Sequence, residues 1–329
     1  MAAIGNTALT YADWAKRYND GKISVIVELL AQTNEILDDM RWVEGNLPTG
    51  HRTTVRTGLP QGTWRQLNYG VQPAKSTTSQ VNDACGMLET YSEIDKALAD
   101  LNGNTAEFRL SEDKAFLEGL SQQMAQTIFY GDTASAPEKF MGLASRYNTL
   151  NAATATSQNV IDAGGTGSDN TSIWLVVWGD LTVHGIFPKG SKAGMQMRDL
   201  GEQTLLDAQS NKYQGYRTHY KWDAGLTVRD WRYAVRIANV DVSDLSGGGA
   251  TDLVKHMIRA THKVPSLKTG QPVFYMNRTG RQWLDIQAAT KDNVMLKISE
   301  FEGRPVREFL GIPVRTCDQI VNTEGRVVA

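Results

Sequence analysis

The stretch TVRTGLPQGTWRQLNYGV, residues 54–71, sets two polar, β-prone arms on either side of a Gly58-Leu59-Pro60-Gln61-Gly62 turn. A two-stranded ribbon with so few apolar residues cannot bury enough surface to hold its own shape. It has to lean on something else, and the charges around it narrow the choice. From Gly45 to Asn82 the chain runs 38 residues without one acid while carrying Arg52, Arg56, Arg65 and Lys75. From Asp83 to Asp113 the balance reverses: eight acids, among them Glu89, Glu93, Asp95, Glu112 and Asp113, stand against only Lys96 and Arg109. A basic projection, with Trp64 and Tyr69 as its aromatic residues, is thus followed at once by an acidic segment. Isolated charge runs are ordinarily solvated faces. A ribbon without a core must nevertheless find buried area, and the acidic segment of a second copy of the chain suits it electrostatically.

Working outward from the hairpin, Leu9-Thr10-Tyr11-Ala12-Asp13-Trp14 reads as a helix start, with Thr10 as N-cap, Asp13 three residues on, and Leu9 and Trp14 placed as a hydrophobic staple. Ile23, Val27, Leu30, Ile36 and Leu37 then predict helix to about Met40. On the other side, SEDKAFLEGLSQQMAQTIFY, Ser111–Tyr130, is the clearest helix of the chain. Ser111 is placed to cap it, Glu112 and Asp113 lie at the positive end of its dipole, and Gly131 stands at C′. Phe116, Leu117, Leu120, Met124, Ile128 and Phe129 make one apolar stripe. At 1.5 Å per residue it spans about 30 Å.

From Leu150 to Thr171 the Asn, Thr, Ser and Gly content predicts a surface loop. Ser172–Gly190 reads as a hairpin or meander split at Gly179-Asp180, and strands are expected at Tyr216–Trp222 and Gly225–Val240. Leu245-Ser246-Gly247-Gly248-Gly249 marks the strongest boundary. Beyond it come a helix (Thr251–His262), a strand (Pro272–Met276), a second helix (Thr279–Ala289) and two short strands flanking Glu302-Gly303-Arg304-Pro305, which read as an α/β unit of its own.

The totals are those of a globular chain: 329 residues, 41% apolar, 21% charged, formal net charge -2. They argue against a protein whose whole surface grips nucleic acid, and no window approaches the roughly 18 consecutive apolar residues of a membrane span. Cys85 and Cys317 lack metal-type spacing and read as free thiols of a reducing compartment. His51, His184, His219, His256 and His262 form neither HxH nor HExxH, so no metal or other cofactor is expected. Gly164-Gly165-Thr166-Gly167-Ser168 lacks the Lys-Ser/Thr ending of a phosphate loop. Asp180 and His184 are the best acid–base pair, but a strand spacing of four puts them about 13 Å apart. Trp174, Trp178, Trp222 and Trp231 fall on expected strands, where core packing explains them better than sugar stacking. The residues point away from an enzyme.

Phe129-Tyr130-Gly131-Asp132, then Pro137-Glu138-Lys139-Phe140-Met141-Gly142-Leu143, and WDAGLTVRDWRYAVRIANVD, Trp222–Asp241, are specific segments that no general fold constraint requires. With the arm, the hairpin and the long helix they give the chain a resemblance to the major capsid proteins of tailed bacteriophages, the Hong Kong 97-type fold. The likeness is strongest to those of short-tailed phages, and it covers nearly the whole chain. It implies an α+β fold in four parts: an N-terminal arm (1–45), an extended loop laid over a neighbouring subunit (46–82), a peripheral domain (83–245) with a spine helix (111–130), and an axial domain (246–329). The axial unit stands after the peripheral strands instead of interrupting them, which implies a permuted strand order. Arg52, Arg56, Trp64, Arg65, Tyr69 and Lys75 are then the expected contact residues of the loop, and Glu89, Glu93, Asp95, Glu112 and Asp113 the acceptor surface.

The resemblance further implies hexamers and pentamers closing an icosahedral shell around double-stranded DNA held without sequence-specific contacts. Its implied partners are further copies of the chain, a portal protein and a decoration or cement protein, with no membrane. Some relatives fuse a scaffolding segment ahead of the arm, and the short stretch before this hairpin leads us to expect a separate scaffolding protein. Assembly is expected in the host cytoplasm. An encapsulin-like compartment shell, or a Trp-rich sugar-binding or hydrolytic protein, are the alternative readings.

Overall fold

The computed structural model describes residues 18–19, 22–23, 32–103, 105–207, 209–246, 252–290, 296–301 and 304–329. The helix expected from Thr10 lies outside them; of the one expected from Ile23 to Met40, Ile23 is instead in a strand, Asn34 forms a β-bridge with Cys317, and a single helical turn, Ile36–Asp39, is present among the described residues. Strands β1 (Tyr18–Asn19) and β2 (Lys22–Ile23) pair with each other. Then come β3 (Trp42–Glu44), β4 (Gly50–Gly58), β5 (Thr77–Asp95) and a 26-residue helix, Thr105–Tyr130. After them run β6 (Val160–Asp162), β7 (Asn170–Trp178), β8 (Val183–Phe187), β9 (Gln196–Leu206), β10 (Lys212–Val228) and β11 (Ala234–Asp241). The C-terminal part consists of the helix Leu253–Lys263, β12 (Gln271–Met276), the helix Arg278–Thr290, β13 (Leu296–Phe301), β14 (Arg304–Phe309) and β15 (Ile312–Thr316). Among the described residues thirteen strands join through one path of pairings, β13-β14-β15-β12-β7-β8-β10-β5-β4, with β11, β6, β3 and β9 branching from it.

The centre of this path is a layer buried on both sides. On β7, Trp174, Val176 and Trp178 enter one core and Ile173, Leu175 and Val177 the other, which is why the segment reads as an unbroken apolar run. β11 and β12 divide in the same way: Ala234, Ala238, Val273 and Tyr275 face the first core, and Val235, Ile237, Phe274 and Met276 the second. The long helix covers the first core with Met124, Ala125, Ile128 and Phe129. The helix Leu253–Lys263 covers the second with Leu253, Met257 and Ala260, and the helix Arg278–Thr290 adds Leu284. The unit beyond residue 249 therefore does not stand apart: β12 pairs antiparallel with β7, and its core is completed by β7 and β11.

Several expectations are corrected. The hairpin does not turn at Gly58–Gly62: β4 pairs with β5 in a register running from Gly50↔Ala84 to Gly58↔Thr77, so residues 59–76 form an 18-residue loop at its tip. The long helix starts at Thr105, not Ser111, because Phe108 belongs to a small core with Ile94, Leu98 and Ala99 that draws the preceding turns into the helix. Thr105 Oγ1 donates to Asp100 Oδ1 (2.8 Å) at that end. Gly179-Asp180 makes a bend and not a hairpin, since β7 and β8 meet only at Trp178↔Val183, in parallel sense. The strands expected at Tyr216–Trp222 and from Gly225 are one, β10, and the second is cut at Asp230, whose carboxylate caps a 3-10 turn at Trp231–Tyr233 by accepting from Arg232 N (3.0 Å). Trp231 is thus not on a strand. The expected loop 150–171 contains β6, paired parallel with β11.

Candidate assembly interface

The hairpin is stiff at its root. Gly50 lies so close to β5 that a Cβ there would sit 2.0 Å from Asp83 O. Arg52 N donates to Asn46 Oδ1 (2.7 Å), Asn46 Nδ2 returns to Arg52 O (2.7 Å), and Arg52 Nε reaches Asn82 Oδ1 (2.8 Å). Asp83, nearly buried, accepts from Arg146 Nη2 (2.7 Å), which also donates to Leu226 O (3.0 Å) and so rivets the root to β10. Arg52 is therefore spent inside its own hairpin.

The tip is the reverse. Trp64 is 101% and Leu67 85% exposed, and Leu59, Tyr69 and Val71 are exposed with them. Arg56, Arg65 and Lys75 are also exposed. Burying each aliphatic of this set on a partner would contribute about 1.5–3 kcal/mol. Leu59, Leu67 and Val71, exposed beside Trp64 and Tyr69, were not among the residues expected there. The signal for them was five large apolar side chains within a segment that has two glycines and neither a 2- nor a 3.6-residue period.

The acidic acceptor surface is largely satisfied within the chain. The β5–β10 register places Arg217 opposite Glu93 and Lys221 opposite Glu89, and the charges meet: Arg217 Nε–Glu93 Oε1 2.7 Å, His219 Nε2–Glu89 Oε2 3.1 Å, Lys221 Nζ–Glu89 Oε1 3.5 Å. Asp95 caps the short helix Lys96–Ala99 by accepting from Ala97 N (2.8 Å). Glu112 and Asp113 sit inside the long helix, not at its dipole end, and Asp113 lies by the buried Tyr220, whose hydroxyl pKa is raised by burial and by that carboxylate. The acids form an ionic ladder on β5 and β10 more than a bare negative face.

Phe129-Tyr130-Gly131-Asp132 and Trp222–Asp241 meet at the C-terminal segment. Tyr130 Oη and Ser172 Oγ donate to the buried Glu324 carboxylate, which also holds Arg236 Nη2 (2.8 Å). Arg236 Nη1 donates to Tyr147 O (2.8 Å). Asn239, in left-handed backbone (φ 58), donates from Nδ2 to Val327 O (2.9 Å) and accepts from Val327 N (2.7 Å). Gly131 and Gly142 are glycines because their backbones touch: Gly142 N donates to Gly131 O (2.8 Å), and a Cβ on Gly131 would sit 2.3 Å from Phe140 O. The C′ role expected of Gly131 is thus one of close approach, since its φ is not in the left-handed range.

Asp180 bonds Arg41 (2.8 Å) and makes no pair with His184, which is buried. Trp174, Trp178 and Trp222 are buried, so no sugar-stacking face is built from them. Cys317 is buried and Cys85 half-buried; burial pushes their thiols up to about 12 and about 11. Among the described residues no group of three or more His, Cys, Asp or Glu side chains is placed to hold a metal ion.

A double-faced sheet, a long helix along one face and a hairpin thrown clear of both match the layout that the resemblance to Hong Kong 97-type shell subunits implies. Residues 18–328 match the family described as major capsid protein GP7, and the chain belongs to that family. It is similar over its full length, and over the full length of the other chain, to a protein in the near-atomic structure of bacteriophage Epsilon15, at 38% identity and a TM-score of 0.80. A chain of Mycobacterium phage Adephagia (11% identity, 67% of this chain and 92% of that one, TM-score 0.40) is far more distant. So is the SrpI encapsulin of Synechococcus elongatus (10%, 70% and 96%, TM-score 0.42). Neither of these two bears on this chain. No curated protein matches it. It is a structural protein, the major capsid protein of a tailed phage.

Proposed function

We propose that the chain assembles into hexamers and pentamers that close an icosahedral shell around double-stranded DNA, each hairpin tip lying on the adjacent subunit. The observation that carries this reading is the tip itself: five large apolar side chains held in solvent on a ribbon whose root is riveted. An apolar group displayed so is a liability on a lone monomer and an anchor in an assembly. Tip and acceptor lie on different parts of the surface, so the contact is heterologous, the kind that closes rings. The role is geometric and needs no reaction. The DNA is enclosed without sequence-specific contacts, and a near-neutral chain, net charge -2, is consistent with loose binding of its phosphates. In keeping with the family resemblance, a separate scaffolding protein guides closure, a portal occupies one vertex, and assembly takes place in the host cytoplasm. Negative-stain electron microscopy of the purified chain, with and without the product of its neighbouring gene, tests the reading. Shells or rings of five and six are expected, and a monomer under every condition would sink it.

A further inference from the structure

The glycine-rich loop between β6 and β7, Gly164-Gly165-Thr166-Gly167-Ser168, runs into Asp169 and Asn170 and lies beside the end of β11. The β7–β11 register sets Asn170 opposite Asp241, so their side chains share one face. Asn170 is fully buried. Its Nδ2 donates to Gly167 O (2.7 Å), which fixes the orientation of the amide, and its Oδ1 is buried without a donor. That oxygen is directed at the loop: a Cβ on Gly165 would stand 2.5 Å from it, 2.6 Å from Asn239 O and 3.0 Å from Asp241 Cβ. A buried amide oxygen with nothing to accept from is costly, and it calls for a partner.

Two carboxylate oxygens come to the same place. A Cβ on Gly167 would stand 2.4 Å from Asp169 Oδ1 and 3.6 Å from Asp241 Oδ2. Asp241 is nearly buried and held from behind, its Oδ1 accepting from Ser243 N (3.0 Å), Ser243 Oγ (2.7 Å) and Asp244 N (3.2 Å). The Ser243 hydroxyl holds this carboxyl below the usual carboxylate range, so it is charged at neutral pH. Asp162 and Asp244 stand close by, and none of these four acids forms an ion pair among the described residues. Like charges gathered in this way repel unless a cation lies between them.

We propose that the loop binds a calcium ion through Asp169 Oδ1, Asp241 Oδ2 and Asn170 Oδ1, with water completing the shell. All three donors are oxygens, the set that suits a hard cation, and the Asn170 amide takes the place of a third carboxylate. Neither histidine nor cysteine spacing announces such a site. Calcium fits better than magnesium, because the ion must shed water to reach a buried amide oxygen and magnesium dehydrates reluctantly. Residues 164–169 also follow the Gly-Gly-x-Gly-x-Asp order of calcium-binding glycine–aspartate repeats, and β11 supplies the further carboxylate that a single copy lacks. The ion would tie the β6–β7 loop to the end of β11 at the point where Glu324 N donates to Asn170 O (2.9 Å), and so brace the C-terminal segment.

Isothermal titration calorimetry of the EGTA-treated, desalted chain with CaCl2 tests it, with MgCl2 as the comparison and the melting temperature as a second readout. One calcium per chain is expected, with a Kd of about 10⁻⁴–10⁻³ M and magnesium at least about tenfold weaker. At constant ionic strength, about 10 mM CaCl2 should raise the melting temperature by roughly a few degrees. The Asp169 side chain accepts no hydrogen bond among the described residues, so Asp169→Asn should melt as calcium-free wild type does and bind calcium at least about tenfold more weakly. Asp241→Asn keeps an oxygen for Ser243 and should lose affinity in the same way, which leaves the test decisive if one variant fails to fold. Absence of binding at about 10 mM, equal binding of calcium and magnesium, or undiminished calcium binding in a folded variant overturns the site. The shell reading does not depend on the result.

Discussion

His184 has one ring nitrogen met and the other not. Its Nδ1 lies 3.3 Å from Gly179 O, placed to donate to it, while Nε2 is buried without a partner. The ring of His51, on the hairpin root, stands edge-on to it with centroids 5.8 Å apart. Burial holds the pKa of both below the ordinary 6.5, Arg229 lowers each further, and Asp83 by His51 and Asp180 by His184 offset part of this. In the folded subunit these rings stay neutral at a pH where unfolded ones take a proton. The unfolded chain therefore binds more protons below about pH 6.5, and stability, complete above that pH, falls as pH drops until the folded rings also titrate. His184 contributes at most about 1.4 kcal/mol per pH unit in that window. Urea unfolding of the unassembled subunit at pH 7.5, 6 and 5 should show the decline, and His184→Gln should flatten it. An unchanged slope in the variant would show that other groups carry the acid sensitivity.

At the scale of elements, the hairpin offers its partner two kinds of interaction, and their magnitudes decide between them. Exposed ion pairs are worth about 0–1 kcal/mol, and the β5 acids already hold Arg217, His219 and Lys221. A buried tryptophan anchor is commonly worth 2 kcal/mol or more, roughly 30-fold in affinity. Trp64→Ala should therefore raise the concentration at which shells appear by more than about tenfold, and Arg65→Ala by only a few-fold, with both subunits melting as wild type does. Light scattering over a concentration series checks it, and the reverse order would return the contact to charge pairing. That ranking was not legible in the sequence. Charge runs show in composition, but the ladder that neutralises Glu89 and Glu93 exists only once β10 lies beside β5. β5 itself was missed as a strand of 19 residues because its early half is exposed and its later half mixes residue types on both faces, with Ser92 buried while Met87 and Tyr91 are exposed, so no alternation announces it. The two C-terminal helices were legible because each has one dominant apolar face, β12 as a short apolar run that serves both cores, and the long helix in its C-terminal half, where Met124, Ile128 and Phe129 recur at helical spacing.

For the molecule as a whole, the decisive feature is that β7, β11 and β12 wall both cores at once. The glycine-rich boundary after Leu245 suggests two units, and two units joined by a linker unfold in two steps. Here neither core can lose its sheet without stripping the other: Trp174 and Leu175 are successive residues of β7 serving opposite cores. The C-terminal segment adds a second tie, because Glu324 pairs with the buried Arg236, and β11 could not shed it without leaving that guanidinium uncompensated in the interior. The free energy of each core thus includes burial that the other supplies, and the two should melt together. Pulse-labelling hydrogen exchange with mass spectrometry along a urea series resolves this by segment. Peptides from the helix Thr105–Tyr130 and from the helix Leu253–Lys263 should lose protection at the same urea concentration. The tip at 59–76, outside both cores, should be unprotected throughout in the free subunit and become protected only in shells. Earlier loss in the Leu253–Lys263 helix would mean that the sheet can part at β12, and that the boundary after Leu245 is energetic as well as compositional.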